Sequence, residues 1–506
     1  MILPIFLSAF LLYFSFPNFL YLFGFWPLAW IFAIPLFFAL EKNKNSVFKR
    51  LIVGILWGII FYTFFVSWVK SYNFLGYLAF VSVLTLQPLI FSLLCLPGIK
   101  NKILDLLYVP ALWVSTEYLR PVLFNGFSWT VGHSQSFNIY ALQIANVFGS
   151  YGISFVIMLV NYCLFKILKE PQQKGFYLRA VGLSLIGLFG YGYLSVSIGE
   201  KKSGSQNKIT ICSIQPNIDP HKKLNRDIVH QLIDEQAALT ECCLKAPSFK
   251  LIAWPETAIP ADFLQHDSMR EQVLSLSAKV KTNLLMGAAL NRDSNDYNTA
   301  VLLDQSGQVV DIYYKQNLVP FSEYTPLGGV LNPLGKILNA QGYDFARGSK
   351  TSAFSLPQEN NFREQTKNRT VVKFGVGICS EDLYPSLFRN LSKAGSQFAV
   401  VMLNDGWFNR NEALMIHAQN SILRAVENRF PIVRVANSGW SCSIDKLGKI
   451  DWNRTLPLNQ KGVVGFSIEP SIGKTFYSRF GDIFAQVCLG FVFISFMVRF
   501  KRKREL

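Results

Sequence analysis

Three side chains in this sequence carry complementary chemistry: a carboxylate at Glu256, an ammonium at Lys315 and a thiol at Cys379. Each stands just after an apolar, strand-forming run, Glu256 after LIAWP, Lys315 after VVDIYY and Cys379 after VVKFGVGI. Strand ends are where α/β proteins gather reactive groups. A cysteine becomes a nucleophile when a base removes its proton, and the tetrahedral intermediate it forms needs a donor or cation at the developing oxyanion. Carboxylate, ammonium and thiol supply those functions. Taken singly, each has a plainer reading: a small buried hydrophobe for Cys379, a solvated strand-end charge for Lys315, and a turn residue after Pro255 for Glu256. A fold that gathers them is what would make them a site.

The elements that must do the gathering are legible around them. Runs at 208–214, 249–254, 283–290, 299–303, 309–314, 370–378 and 398–403 read as strands. Ser306-Gly307 between two of these is a hairpin signal, and 412–428 has helical periodicity through Leu414, His417, Ser421, Arg424 and Ala425. Mixed α/β layering follows.

The rest of the 506 residues is of another kind. Hydrophobic residues make up 51% of the chain and aromatics 15%, while charged residues fall to 16%, against roughly 25% in soluble domains. A simple soluble or disordered protein is excluded. Apolar runs long enough to cross a bilayer lie near 2–17, 19–40, 51–69, 74–97, 103–119, 147–165, 180–198 and 483–498. The first lacks a basic leader and a small-residue cleavage site, so it is expected to be retained. Residues 1–199 and 481–506 hold 17 Lys/Arg against 6 Asp/Glu, +11 of the net +17. Lys42, Lys44, Lys49, Arg50, Lys100, Lys102, Lys166, Lys169, Lys174, Arg179 and the tail from Arg499 to Arg504 all fall on one side of an eight-span path. That is the positive-inside pattern, so nucleic acid is excluded as a partner and both termini are expected in the cytoplasm. Three parts follow: a membrane region of seven spans over 1–199, an exported catalytic domain over 200–480, and an eighth span with a basic tail over 481–506. The exported part holds Cys212, Cys242, Cys243, Cys379 and Cys442, an odd number, so at least one thiol should escape intramolecular pairing. No cysteine or histidine spacing suits a metal, and no metal or cofactor is expected.

WPETAIP around Glu256, YYKQNLVPFSEYTPL around Lys315 and GVGICSED around Cys379 resemble the nitrilase, or carbon-nitrogen hydrolase, superfamily. The resemblance implies an αββα sandwich with Glu256, Lys315 and Cys379 as catalytic triad and Glu323, Glu381 and Ser380 in support. Eight spans around such a domain are similar to the apolipoprotein N-acyltransferase family. EYLRPVLFNGFSWTVGHSQ, MLNDGWF, RAVENR and RVANSG extend that likeness along the chain. The family implies ping-pong acyl transfer in the bacterial inner membrane, with the catalytic domain in the periplasm. Cys379 would take an acyl chain from a glycerophospholipid as a thioester and deliver it to the α-amino group of a diacylglyceryl-modified apolipoprotein. Trp129, Gln135, Trp254, Trp407 and Phe408 are the expected substrate contacts, and a monomer is expected. The sequence departs from the family pattern at Asn317, Ser322, Ser380 and Leu224, where His, Gly, Tyr and Trp are usual. The alternatives are a membrane-tethered amidase using water as second substrate, disfavoured by the 117–135 segment, and a ligand-binding sensor or transporter.

Overall fold

The structure is a computed structural model of the chain. It describes all residues except 1, 72, 96–100, 125, 127, 202–207, 244–248, 326–343, 352, 357–370, 409 and 505–506, and the side chains of 224, 226 and 499–504. Lys100, the side chain of Leu224 and those of the basic tail therefore lie outside the described residues. Two compact units emerge, one of residues 1–201, 410–419 and 475–506, the other of residues 202–409 and 420–474.

The first unit is helical. Helices occupy Ile2–Ser15, Ala33–Lys42, Val47–Phe65, Phe74–Leu94, Lys102–Phe124, Ala145–Lys169, Lys174–Lys201 and Ile483–Arg504. Among the described residues, four helical segments are long and apolar enough to cross a membrane: Val47–Phe65, Phe74–Leu94, Ala145–Lys169 and Pro171–Lys201. Ile2–Ser15 and Ile483–Val498 are shorter apolar helices. The expected span at 19–40 is not one helix. A 3₁₀ turn at Trp26–Trp30 precedes the ten-residue helix Ala33–Lys42, which at 1.5 Å per residue is about half a bilayer long. The cause is local: the Asn18 side chain accepts from the backbone N–H groups of Leu20 and Tyr21, and Gly24 turns the chain at φ 71° so close to Ser15 that a Cβ would sit 2.5 Å from its carbonyl oxygen. Apolar side chains such as Leu183 and Ile186 face outward, as a lipid environment requires.

The 117–135 segment folds into this unit. Glu117 accepts from the Trp113 indole at 2.8 Å and from Val131 N–H at 2.7 Å. Arg120 donates to the Tyr62 hydroxyl, to Gln87 and to the Trp129 carbonyl. Intramembrane charges are retained when they are paired inward, and these two brace the helices against the segment that follows them.

The second unit contains two stacked sheets. The strands are β1 Ile209–Gln215, β2 Leu251–Ala253, β3 Asn283–Arg292, β4 Asn295–Leu303, β5 Val309–Tyr314, β6 Phe354–Leu356, β7 Val372–Ile378, β8 Phe398–Leu403, β9 Ile432–Ala436, β10 Cys442–Ile444 and β11 Gly462–Ile468. One sheet runs in the order β11-β1-β2-β3-β4-β5 and the other β10-β9-β8-β7-β6. β1, β2 and β3 are parallel to one another, as are β7, β8 and β9, and antiparallel strands finish both sheets. Period-two alternation decides which side chains meet between the sheets. Ile209 and Ile211 of β1, Leu251 and Ala253 of β2, and Val372, Phe374, Val376 and Ile378 of β7 fill the middle layer. Their neighbours Cys212, Ile214, Ile252 and Trp254 face the helices Val229–Cys243 and Asp267–Val280. On the outer side of β7 the alternate positions are Gly375 and Gly377. A Cβ at Gly375 would lie 2.6 Å from Leu391 of the helix Pro385–Lys393, so glycine is what lets that helix seat.

All seven expected strands form, the 299–303 run starting earlier, at Asn295. The Ser306-Gly307 hairpin forms with Gly307 at φ 83° and Asp304 accepting from the N–H groups of Ser306 and Gln308. β6, β9, β10 and β11 go beyond the expected set; three of them close sheet edges, where short mixed sequences suffice. Cys212 and Cys243 form a disulfide that ties β1 to the helix ending at Cys243, while Cys242, Cys379 and Cys442 remain thiols.

Candidate active site

Glu256, Lys315 and Cys379 meet at the strand ends of the second unit. β5 ends at Tyr314, so Lys315 is the next residue, and its N–H still bonds the Asn298 carbonyl of β4. Its ammonium is 1% exposed and bonds Glu323 at 2.7 Å and Glu256 at 3.2 Å. Two of the three ammonium protons are thereby used and one remains. Glu256 sits on a tight turn after β2, with Thr257 at φ 46°. That turn lies against β3 at Gly287, where a Cβ would be 2.5 Å from the Pro255 carbonyl oxygen and 2.6 Å from Thr257 N. Glu256 Oε1 also accepts from Asn298 Nδ2 at 2.8 Å. Among the described residues Oε2 accepts no hydrogen bond, which leaves it able to take a proton.

Cys379 begins a 3₁₀ turn, Cys379–Leu383, directly after β7, and its φ is 51°. A side-chain-bearing residue in the left-handed region costs on the order of 1–3 kcal/mol and persists where its surroundings hold it. Glu381 provides much of that hold. Its carboxylate accepts from Ile378 N–H at the Cys379 turn, from Gln316 and Asn317 N–H in the Lys315 loop, and from the Tyr313 hydroxyl, all between 2.9 and 3.0 Å. One buried carboxylate thus laces the two sheets' strand-end loops together, and burial raises its pKa against those donors and Lys315. Behind the turn, Asp382 accepts from Ser421 at 2.6 Å and from Arg434 of β9 at 3.1 Å, and Arg434 also faces Asp405 at 3.5 Å.

Burial pushes the Cys379 thiol well above its ordinary range, Glu256 pushes the same way, and Lys315 opposes them. With one ammonium among two carboxylates, a thiolate would add a further negative charge to a site already net negative. Burial and these charges favour the thiol over the thiolate, so a base beside the sulfur is what would let it act as a nucleophile.

The other expected site residues fall in different surroundings. Ser380 is partly buried and its hydroxyl makes no hydrogen bond among the described residues. Trp407 and Phe408 follow β8 and are partly exposed, Trp407 lying edge-on to His221 with ring centroids 5.2 Å apart. Trp254 is wholly buried in the sheet–helix layer, its indole donating to Thr240. Trp129 and Gln135 belong to the helical unit. Trp129 packs on Phe65 and Trp68, and Gln135 accepts from the Trp30 indole and donates to the Trp26 carbonyl.

Two further residues of the site are not legible in the sequence. Asn298 bridges Glu256 and Glu323; it lies one residue ahead of the apolar run at 299–303, so nothing marks it as an inward-facing member of that strand. Lys223, 3% exposed, donates to the Glu256 carbonyl at 3.3 Å, and burial pushes its ammonium down to about 7. A lysine pair in HKKL carries no signal that one member turns inward.

Comparison with known proteins gives two family models along the chain: the apolipoprotein N-acyltransferase N-terminal domain over residues 8–163 and carbon-nitrogen hydrolase over residues 209–470. The apolipoprotein N-acyltransferase of Geobacter metallireducens is 32% identical, covering 98% of this chain and 95% of that protein. Apolipoprotein N-acyltransferase 1 of Treponema denticola is 27% identical, covering 95% and 93%. The crystal structure of Saccharomyces cerevisiae Nit3, of the nitrilase superfamily, aligns with 55% of this chain and 97% of its own at a TM-score of 0.38 and 17% identity. Likeness that runs through the helical unit and the sandwich alike means that this chain belongs to the apolipoprotein N-acyltransferase family, with a carbon-nitrogen hydrolase fold as its second unit.

Proposed function

We propose that Cys379, Glu256 and Lys315 carry out the reaction of this enzyme in two half-reactions. The protein is a membrane acyltransferase acting on lipoproteins. Its donor is a glycerophospholipid and its acceptor the α-amino group of an N-terminal S-diacylglyceryl-cysteine. In the first half, the Cys379 proton passes to Glu256 as sulfur attacks the donor's ester carbonyl, and the remaining Lys315 proton meets the oxyanion. The carbon–oxygen bond then breaks, the glycerol oxygen takes the proton from Glu256, and a lysophospholipid leaves. In the second half, the amine attacks the thioester, its proton passes through Glu256 to sulfur, and the carbon–sulfur bond breaks to leave an amide. Glu323 holds Lys315, and Glu381 holds the nucleophile turn against the lysine loop.

The observation that carries this reading is the buried ammonium shared by Glu256 and Glu323, with the Cys379 thiol in the field of all three. Intact-mass spectrometry of detergent-purified protein tests it. The chain should gain one fatty acyl mass, release it to hydroxylamine and lose it to a diacylglyceryl lipopeptide. Release to water at the same rate as to the lipopeptide would favour an amidase.

The charge pattern of the loops supports eight passes through the inner membrane of a bacterium, the second made by the broken stretch of Trp26–Trp30 and Ala33–Lys42 and not by one helix, with residues 1–199 and 481–506 forming the membrane part and 200–480 the periplasmic one. A reporter fused at Gln206 and another at the C-terminus should then read opposite sides. The enzyme acts as a monomer.

A further inference from the structure

We propose that Arg347 is the phosphate anchor of the acyl donor, a guanidinium held at the catalytic loops to receive the phosphodiester of a glycerophospholipid. The proposal rests on the reading of Cys379 as the residue that phospholipid acylates. Arg347 is exposed, yet its backbone is tied to the site on both sides. Phe345 N–H bonds the carbonyl of Glu323 at 2.8 Å, and Gly348 N–H bonds the carbonyl of Lys315 at 2.8 Å. Ala346 N–H adds a bond to the Asp296 carbonyl at 2.8 Å. Gly348 runs so close to the Tyr314 carbonyl that a Cβ there would overlap it, so the tether has little slack.

The side chain is held as well. Its guanidinium carbon stands 4.5 Å from the centroid of the Tyr324 ring, next in sequence to Glu323. Tyr384, just past the nucleophile turn, lies within electrostatic reach of both Lys315 and Arg347. Stacking occupies one face of the guanidinium, and among the described residues its edge donors make no hydrogen bond. Among the described residues no carboxylate lies within 4.0 Å of them. The other two cations at the site are committed: Lys315 to Glu256 and Glu323, Lys223 to the Glu256 carbonyl.

A stacked, pre-oriented guanidinium matches two oxygens of a phosphate in fork geometry, which an ammonium does not. Every headgroup-bearing glycerophospholipid carries that phosphodiester on the glycerol whose ester is cleaved, whatever the headgroup is. A cation fixed to the loops of Glu323 and Lys315 is thus placed to read the feature common to all such donors.

The test is donor binding to the full chain in detergent with Cys379→Ala, so that no chemistry intervenes. Dipalmitoylphosphatidylglycerol and the neutral dipalmitoylglycerol serve as probes. Loss of a charge-assisted bidentate contact should weaken phosphatidylglycerol binding about 10- to 100-fold in Arg347→Gln, with dipalmitoylglycerol unchanged, which also shows that the variant is folded. Arg347→Lys should fall between. Glycerol 3-phosphate should compete with phosphatidylglycerol on the arginine protein and lose that effect in Arg347→Gln. Equal phosphatidylglycerol binding with and without Arg347 overturns the proposal, as does inorganic phosphate binding as tightly as the lipid, which would mark a free-anion site. Acyl-mass gain on the Cys379 protein is scored separately: its absence would remove the acyl-enzyme reading, while the binding comparison decides Arg347.

Discussion

Glu256→Gln sets two effects of one carboxylate against each other. In the proposed mechanism the carboxylate takes the Cys379 proton, but its charge also raises the thiol pKa, second only to burial. Burial and the Glu256 charge hold the thiol well above its ordinary range, so little of it is thiolate at pH 7. Acylation by pre-formed thiolate is therefore slow, and a positioned base should be worth roughly 10²- to 10⁴-fold. Removing the charge lowers the thiol pKa and restores thiolate, about tenfold more of it for every tenfold gain in thiol acidity. Burial, the larger cause, remains, so the net loss at pH 7 should be about 10²- to 10³-fold. The substitution should not unfold the site, because Lys315 keeps Glu323 at 2.7 Å. The pH dependence is the sharper signature. Without a base, residual acylation should climb roughly tenfold per pH unit while the thiol titrates, whereas the parent changes far less over the same range. Intact-mass time courses between about pH 6 and pH 9 would measure both, with iodoacetamide alkylation reporting the thiolate directly. Acylation within tenfold of the parent at pH 7, or a residual rate flat in pH, would refute Glu256 as base.

Cys379→Ala should abolish both half-reactions and Cys379→Ser should lose at least about 10³-fold, since a carboxylate activates a hydroxyl poorly; an acyl group mapped by peptide mass spectrometry to Cys212, Cys242, Cys243 or Cys442 would contradict this. Gly287→Ala puts a Cβ 2.5 Å from the Pro255 carbonyl oxygen and 2.6 Å from Thr257 N, so it should displace the Glu256 turn and slow acylation by about 10²-fold, the cost of misplacing a catalytic group by about 1 Å, while circular dichroism stays native. Unchanged kinetics would mean that the turn can yield without moving the carboxylate. Lys223→Met should stabilise the protein in a pH-dependent way. Burial holds the Lys223 pKa at about 7, whereas it is 10.5 in a free lysine, so the unfolded chain carries the extra proton between those values and native stability rises with pH across them. The penalty of the buried ammonium is fully present below about pH 7. The gain in melting temperature should thus be a few degrees at about pH 6 and smaller at about pH 9, and a larger gain at the higher pH would reverse the assignment.

The strands flanking the site are legible because buried parallel strands are near-continuous apolar runs bounded by polar residues. VVKFGVGI and FAVVML are such runs, and β7 and β8 end where those runs end. β10, with Ser443 between Cys442 and Ile444, and β6, with Ser355 between Phe354 and Leu356, have three residues each and too little pattern to stand out; they pair because a neighbour offers an edge. The span at 19–40 misleads for the converse reason. Hydropathy registers that a stretch is apolar and not that Asn18 and Gly24 turn it, so a continuous apolar run becomes a turn, a 3₁₀ segment and a half-length helix.

Sequence alone singled out Glu256, Lys315 and Cys379 as candidates, each at the end of an apolar run and inside a motif like those of the nitrilase superfamily, and it determined that a helical, outwardly apolar part accompanies an α/β one. Tertiary structure decided what those residues are to one another. That Lys315 divides its protons between Glu256 and Glu323, that Glu381 binds two loops some sixty residues apart in sequence, and that Asn298 and Lys223 stand in the site are facts of packing. The physical reason is that hydrophobic periodicity is a local property, written along one element, whereas pKa values and hydrogen-bond partners are set by groups from different elements sharing a volume from which water has been excluded.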